Sequence, residues 1–383
     1  MPTQTTMIGN NAKSIFGFGC ISEIGGALKS MGVCRPLICS DKGILASGVF
    51  TKLLNALPED VSHSVYDDTP PNPNEIAVRA AAKVYRENDC DGVIAFGGGS
   101  SLDLGKAVAL VVTHDGALES FTPQNNGAKK IGLVAPLVAI PTTAGTGSET
   151  SRATVVILNN GEKRLIASRM LLPKLAVLDP ELTFTLPPLL TAATGMDAVT
   201  HCIEAFLSPV GNPVADAIAL AGLDRALAQN ALLDAVSDGS NRNARQSMLL
   251  VSTMGAMAFS KGLGATHAMS HACGKDETMR LHHGTLNAVL LPLVLRFNVK
   301  AAGHKYPSIA VAMGLDKKAD LASHIEKINA QIGMPSNLRT MGITKEMIPD
   351  LAAHAAVDNT NLTNPVVLDE QGYNNLFRDA LLN

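Results

Sequence analysis

Hydrophobic positions in the first half of the chain follow two patterns in turn. From about Ile15 to Asp179, short β-branched runs at 36–40, 62–68, 92–99, 136–143 and 175–179 read as strands. Between them, 21–31, 75–87 and 102–112 repeat apolar residues at helical spacing. That alternation predicts a mostly parallel, Rossmann-like sheet covered by helices on both faces. Residues 153–168, with Asn159-Asn160-Gly161 at their centre, predict a β-hairpin laid against the sheet. After residue 186 the strand pattern stops. Ala, Leu and Met at helical spacing predict helices at 192–207, 213–228, 243–259, 285–298, 319–332 and 345–356. Pro187 and Pro188 stand at the change, so the expected division is an α/β domain over 1–187 and an all-helical domain over 188–383.

Composition narrows the partners. A chain of 383 residues with 46% hydrophobic and 17% charged residues can bury two cores and has no disordered character. Tryptophan is absent and aromatics make up 4%, which argues against a stacking platform for single strands of nucleic acid. A net charge of −3 and a pI near 6.4 give no basic footprint for nucleic acid or anionic lipid. A small-molecule partner fits better. The six cysteines have no CxxC pair and read as free thiols of a reducing compartment. The first residues lack the apolar centre of a signal peptide, and apolar runs such as 108–112 are too short to span a bilayer. The cytoplasm is the expected location.

Two glycine-rich turns carry the first candidate chemistry. A strand ends at Phe96, Gly97, Gly98 and Gly99 follow, and Ser100 opens a helix. Backbone free of Cβ atoms, next to the N–H groups of a helix start, suits a pyrophosphate. The alternative is a tight turn in which Ser100, with Asp103 three residues on, forms a capping box. The second turn, PTTAGTGSET (141–150), again follows a strand, and Thr142, Thr143 and Thr146 offer hydroxyls to phosphate or ribose. Ligands of open α/β sheets bind at that edge. Asp41, at the end of an earlier strand, suits a ribose 2′-hydroxyl and would repel a 2′-phosphate, favouring NAD over NADP.

The helical half carries histidines. Asp197 and His201 stand at i and i+4, as do His267 and His271, and His282 and His283 precede a further helix. A single such pair reads as a helix-surface contact. Several imidazoles and a carboxylate among Ala, Met and Leu are costly to bury without a compensating charge, and a divalent cation supplies one. The residue types leave the choice among His267, His271, His282 and His283 open, and they suit iron and zinc alike.

These motifs resemble the iron-containing (group III) alcohol dehydrogenases, and among them the lactaldehyde reductase-like (1,2-propanediol oxidoreductase-like) enzymes. The resemblance runs through PNPN (71–74), GGGSSLDLGK (97–106), TTAGTGSE (142–149), AATGMDAVTHCIEA (192–205), ATHAMSH (265–271), HGTLNAVLLP (283–292) and TNP (363–365). It implies a dehydroquinate synthase-like architecture, a typical homodimer, NAD(H), and Fe²⁺ sometimes replaced by Zn²⁺. The metal ligands it implies are Asp197, His201, His267 and His283, with His271 beside the nicotinamide and substrate. Asp41, Asn72, Gly98, Gly99, Ser100, Asp103, Thr142, Thr143, Thr146 and Lys163 fall on its cofactor positions. Three departures stand out: a segment between His271 and His283 about two residues longer than usual, Val366 after TNP, and Cys202 in place of a usual alanine.

The reaction implied is hydride transfer between a carbinol carbon and C4 of the nicotinamide, with a Lewis-acidic cation favouring the alkoxide. His271 relays the proton in this reading, and Asp103 is placed with it among the catalytic residues. A short primary alcohol or its aldehyde is the expected substrate. Lys275, Arg280 and Arg152 motivate an alternative, an anionic semialdehyde, and a glycerol dehydrogenase-like polyol enzyme is a further one. A lyase of dehydroquinate synthase type would need a dense Lys/Arg cluster beside Asp197 and His201, which the sequence lacks. A non-catalytic nucleotide-binding protein would have no use for the four ligands.

Overall fold

The computed structural model describes residues 12–275, 279 and 281–382. Asp276, Glu277 and Arg280 of the charged segment lie outside the described residues. The chain divides into two compact units, Asn11–Thr143 with Gly147–Leu186, and Ala144–Thr146 with Pro187–Asn383.

In the first unit the elements run β1 (Ser14–Phe16), α1 (Ile24–Met31), β2 (Pro36–Cys39), α2 (Lys42–Ala46), α3 (Val49–Ala56), β3 (Ser64–Tyr66), α4 (Glu75–Glu87), β4 (Gly92–Gly97) and α5 (Gly99–Val111). They continue with β5 (Leu137–Pro141), β6 (Ala153–Ile157), β7 (Lys163–Ala167) and β8 (Leu175–Leu178). Six strands form one sheet in the order β1-β8-β5-β4-β2-β3, and every pair is parallel. β2, β4, β5 and β8 are buried along their whole length, as parallel strands covered on both faces must be. Their side chains alternate between two cores. Ile38, Ile94, Phe96, Val138, Ile140 and Val177 pack with Ile24 and Leu28 of α1 and Leu53 of α3. Leu37, Cys39, Val93, Ala95, Leu137 and Ala139 pack with Val78 and Ala82 of α4 and Leu104 and Val108 of α5.

The hairpin forms as the sequence predicts, with Ile157 opposite Lys163, but its position differs from the expectation. β6 and β7 are a separate two-stranded sheet, and β6 lies on α5 rather than on the main sheet. The reason is a polar tie: Asp103 of α5 accepts from Val155 N (3.0 Å), and its carbonyl accepts from Thr154 Oγ1 (2.8 Å).

The second unit has no strand among its described residues. Its helices are α6 (Pro188–Leu207), α7 (Pro213–Leu223), α8 (Ala231–Ser237), α9 (Arg242–Ala258), α10 (Ala265–Cys273), α11 (His283–Ala302), α12 (Tyr306–Ala312), α13 (Leu321–Gln331), α14 (Ile348–Ala356) and α15 (Glu370–Leu382). α6 is the centre: its residues from Thr191 to Leu207 are all buried, and it packs on α7, α8, α9 and α11. α11 is long and apolar enough to pass for a membrane span by composition, yet α6, α10 and α13 cover its faces. Ala144–Thr146 joins this unit because Gly145 lies directly on α6. A Cβ there would stand 2.8 Å from Thr194 Cβ, one turn before Asp197.

Candidate metal centre and cofactor edge

α6 presents Asp197 and His201 one turn apart, α10 presents His267, and the first turn of α11 presents His283. Asp197 Oδ1 is the common neighbour of three imidazoles: 3.5 Å from His201 Nε2, 3.6 Å from His267 Nε2 and 3.6 Å from His283 Nε2. Asp197, His201 and His267 are buried and form a group able to hold a metal ion. Burial alone would raise the Asp197 pKa, but the His201 and His283 imidazoles outweigh it and hold the carboxyl well below its usual range. Burial dominates at His201, pushing it down to about 4. At His267 burial is overcome by hydrogen bonds to Asp197 and Glu204, and the ring rises to about 9. The donor set of these three, one anionic oxygen and two buried imidazoles, suits a divalent cation, and His283 Nε2 borders it, 3.6 Å from the same oxygen.

His282, which the residue types alone left in play, is exposed at the start of α11, within electrostatic reach of Asp197 but not among the three imidazoles that meet its Oδ1. Close helix packing decides between the two neighbours. A Cβ on Gly284 would stand 2.1 Å from the Ala193 carbonyl oxygen of α6 and 3.3 Å from Asp197 Cβ. Only glycine lets α11 approach near enough for His283 to meet Asp197. Gly284→Ala is therefore expected to cost about 3 kcal/mol, the upper part of the usual overpacking range. It should also lower bound metal per chain; a thermal melt with elemental analysis checks both, and wild-type values in each would refute the packing argument.

Several residues around the cluster lie in motifs of the sequence but were given no role at the metal. Glu204, two turns past Asp197 on α6, accepts from His267 Nδ1 at 2.7 Å. Asn287, one turn past His283 on α11, donates from Nδ2 to Asp197 Oδ1 at 2.7 Å. The same nitrogen lies 3.1 Å from His267 Nε2 and 3.2 Å from His283 Nε2. Ser270 Oγ lies 2.8 Å from His283 Nδ1. The TNP motif braces α10 from below: Asn364 Oδ1 accepts from Ala265 N (3.0 Å), and Thr363 Oγ1 donates to Leu263 O (2.7 Å). Helical periodicity gives Glu204 and Asn287 the same faces as Asp197 and His283, and that was the available signal.

His271 lies one turn beyond His267. Its ring stacks on His283 (5.3 Å, 15°), and its Nδ1 lies 2.9 Å from Asp358 Oδ2. The side chain is 21% exposed, so it borders the cluster and reaches solvent. Burial would raise Asp358, but His271 and two contacts from Thr360 hold it well below the carboxylate range. Lys275, offered for an anionic substrate, is paired with Asp350 at 2.6 Å. Arg152 is exposed in the other unit.

Of the cofactor candidates, Asp41, Gly98 to Ser100, and Thr142 with Thr143 follow the carboxyl ends of β2, β4 and β5. Chain direction across the sheet reverses between β2 and β4, the point where open α/β sheets bind ligands. Asp41 follows β2 and caps α2 by accepting from Ile44 N (3.0 Å); its other oxygen accepts from Ser101 Oγ (3.3 Å). Gly98 is the N-cap of α5, which starts at Gly99, one residue before the expected Ser100. The capping box is not formed. Ser100 Oγ donates to the Pro71 carbonyl instead, because Gly98 already occupies the cap and Asp103 is turned toward β6. Next to Pro71, Asn72 Oδ1 accepts from Lys163 Nζ at 3.0 Å. Thr142 N donates to the Gly97 carbonyl, and its buried hydroxyl has no partner among the described residues. Thr143 lies against Gly98. Thr146 alone of this set belongs to the helical unit. Asp103, expected among the catalytic groups, has both carboxylate oxygens engaged within its own unit, by Ser148 Oγ (2.6 Å) and Val155 N.

Comparison with known proteins agrees with this geometry. The chain matches the family description "Iron-containing alcohol dehydrogenase" over residues 11–180 and "Fe-containing alcohol dehydrogenase family, C-terminal" over residues 191–381. It belongs to the iron-containing alcohol dehydrogenase family. A 4-hydroxybutyrate dehydrogenase of Cupriavidus necator is 44% identical over 372 residues, covering 95% of this chain and 97% of the relative. Among solved structures, a 1,3-propanediol oxidoreductase superposes with a TM-score of 0.92 at 35% identity, over 98% of this chain and 100% of that one. A sulfoacetaldehyde reductase from Bifidobacterium kashiwanohense, solved in complex with NAD+, gives 0.87 at 28% identity over 99% and 100%. In this chain a mostly parallel sheet precedes a helical region, and the latter carries the Asp/His group.

Proposed function

We propose that this chain is an NAD(H)-linked, divalent-metal-dependent dehydrogenase interconverting a short primary alcohol and its aldehyde. Fe²⁺ is the expected metal, with Zn²⁺ as a substitute, and a homodimer in the cytoplasm the expected form. One observation carries the reading: three imidazole nitrogens within 3.5–3.6 Å of a single buried carboxylate oxygen. Asp197, His201, His267 and His283 would hold the cation. When bound, it supplies Lewis acidity that brings an alcohol's ionisation toward neutral pH. The chain's own residues do the rest. Gly98, Gly99 and Ser100 offer backbone N–H groups at a helix start to the pyrophosphate, and Asp41 stands where a ribose hydroxyl is read. Asn72 and Lys163, with Thr142, Thr143 and Thr146, complete the cofactor set. His271, steadied by Asp358, takes the proton outward to solvent.

Treatment with a chelator should abolish aldehyde-dependent NADH oxidation, and added Fe²⁺ should restore it. Turnover that persists in metal-free protein would refute the reading.

A second reading, an anionic ω-hydroxy acid as the alcohol, is favoured by the relative named for 4-hydroxybutyrate. The Lys275–Asp350 ion pair gives it no support, since that ammonium is already neutralised. The kcat/KM values for a four-carbon aldehyde with and without a terminal carboxylate decide between them. Equal values would remove the charge-reading site. A preference above about tenfold, or 1.4 kcal/mol, would establish it.

A further inference from the structure

Glu204 is almost fully buried, and three donors converge on its carboxylate. Oε1 accepts from Thr266 N (2.7 Å), while Oε2 accepts from Gly264 N (3.0 Å) and from His267 Nδ1 (2.7 Å). The two backbone groups belong to the start of α10, whose N-cap, Gly264, has no side chain to satisfy them. One carboxylate from α6 thus does two things at once: it caps α10 and bonds the imidazole that α10 carries. An ionised carboxylate can only accept, so the proton between Glu204 and His267 sits on Nδ1. In the neutral ring the lone pair is then on Nε2, the atom 3.6 Å from Asp197 Oδ1.

We propose that Glu204 is a positioning residue for the metal centre: it fixes the Nδ1-protonated form of His267, aims Nε2 at the cation, and ties that choice to the docking of α10 on α6. The inference rests on the metal reading given above. Neither a glutamine nor an aspartate can replace the group. A glutamine offers an acceptor and a donor where three donors already point, so one donor meets another however the amide is turned. An aspartate keeps the charge but withdraws it by one methylene.

The test uses the full-length chain loaded with Co²⁺, whose visible d–d bands report ligand geometry, with affinity measured by competition against a chromophoric chelator. Glu204→Gln should weaken Co²⁺ binding by about 10- to 100-fold, the range typical of partners behind a metal-ligating histidine. It should also shift the d–d bands, with Glu204→Asp intermediate. The control is Asn364→Ala, which removes the acceptor for Ala265 N without touching the imidazole. It should lower the melting temperature while leaving Co²⁺ affinity within about threefold, well short of the change at Glu204. Wild-type affinity and bands in both Glu204 variants would overturn the proposal, as would an Asn364→Ala loss as large as that of Glu204→Gln. Co²⁺ uptake that survives Asp197→Ala in a chain with Glu204 intact would instead overturn the metal reading itself.

Discussion

Asp197→Asn is expected to leave the purified chain nearly free of metal and to lower kcat/KM by about 10³-fold or more. Asp197 is the only anion among the four candidate ligands, and its Oδ1 is the atom on which the three imidazoles converge. An amide in its place leaves no anion among the four candidate ligands, so the ligand set itself no longer offsets the charge of a divalent ion in a buried site. It also turns against Asn287, whose Nδ2 now donates to Asp197 Oδ1 at 2.7 Å. A Lewis-acidic ion stabilises developing alkoxide charge by several kcal/mol, and each 1.36 kcal/mol is a factor of ten, which gives the size of the loss. Elemental analysis and NADH oxidation on the same preparation check both halves. A variant that keeps one metal per chain and wild-type turnover would remove Asp197 from the site.

Lys106→Met is expected to destabilise the α/β unit by about 3–5 kcal/mol, the range for breaking a buried charged network from one side. Lys106 of α5 is fully buried, and its Nζ donates to Ser148 O (2.5 Å), Ser148 Oγ (2.8 Å), Ser151 O (2.9 Å) and Ala153 O (2.7 Å). Ser148 Oγ in turn donates to Asp103. Methionine fills a similar volume but leaves buried acceptors unpaired and the Asp103 carboxylate without its cation. The same lysine gives a pH signature. Burial pushes it from 10.5 down to about 8, against the pull of Asp103 and Glu149. Below about pH 8 folded and unfolded chains both keep the proton, and its effect on stability is constant. Between 8 and 10.5 the unfolded chain holds more of it, so the wild type gains stability with rising pH, at up to about 1.4 kcal/mol per unit. The variant lacks this gain, and the gap between the two widens across that window. Denaturant titrations at pH 7 and pH 10 measure it; a gap that stays the same or narrows would show that Lys106 is not the buried ammonium described.

Because Lys106 clips residues 148–153 to α5, that variant should also disturb the turn that carries Thr142 and Thr143. Asp103 belongs to the same clip. Its sequence position, three residues after Ser100, suggested a capping group, but its oxygens accept from Ser148 Oγ and Val155 N. A spacing rule shows that two residues share a helix face, but not which neighbour that face meets.

Much of the rest was legible in the chain. Near-continuous apolar runs identified β2, β4, β5 and β8, since a strand buried on both faces has no polar side to show. α4 was expected at the residues it occupies; its Asn74 cap emerged only in the structure. β1 and the α2–α3 pair were not: three residues with exposed ends, and two short helices broken at Gly48, give too few repeats for periodicity to register. The hairpin's turn was readable, but its seat on α5 was not, because that depends on one carboxylate 52 residues from its partner.

Local order along the chain was thus set by the sequence alone: where strands and helices fall, where glycines free the backbone, and which histidines stand a turn apart. Folding in three dimensions decided which of these groups meet. His283 rather than His282 joins Asp197, Glu204 takes His267 across 63 residues, and Asp358 takes His271 across 87. The physical reason is that a hydrogen bond or ligand set depends on atoms a few ångströms apart, whereas sequence periodicity fixes only directions within one helix or strand.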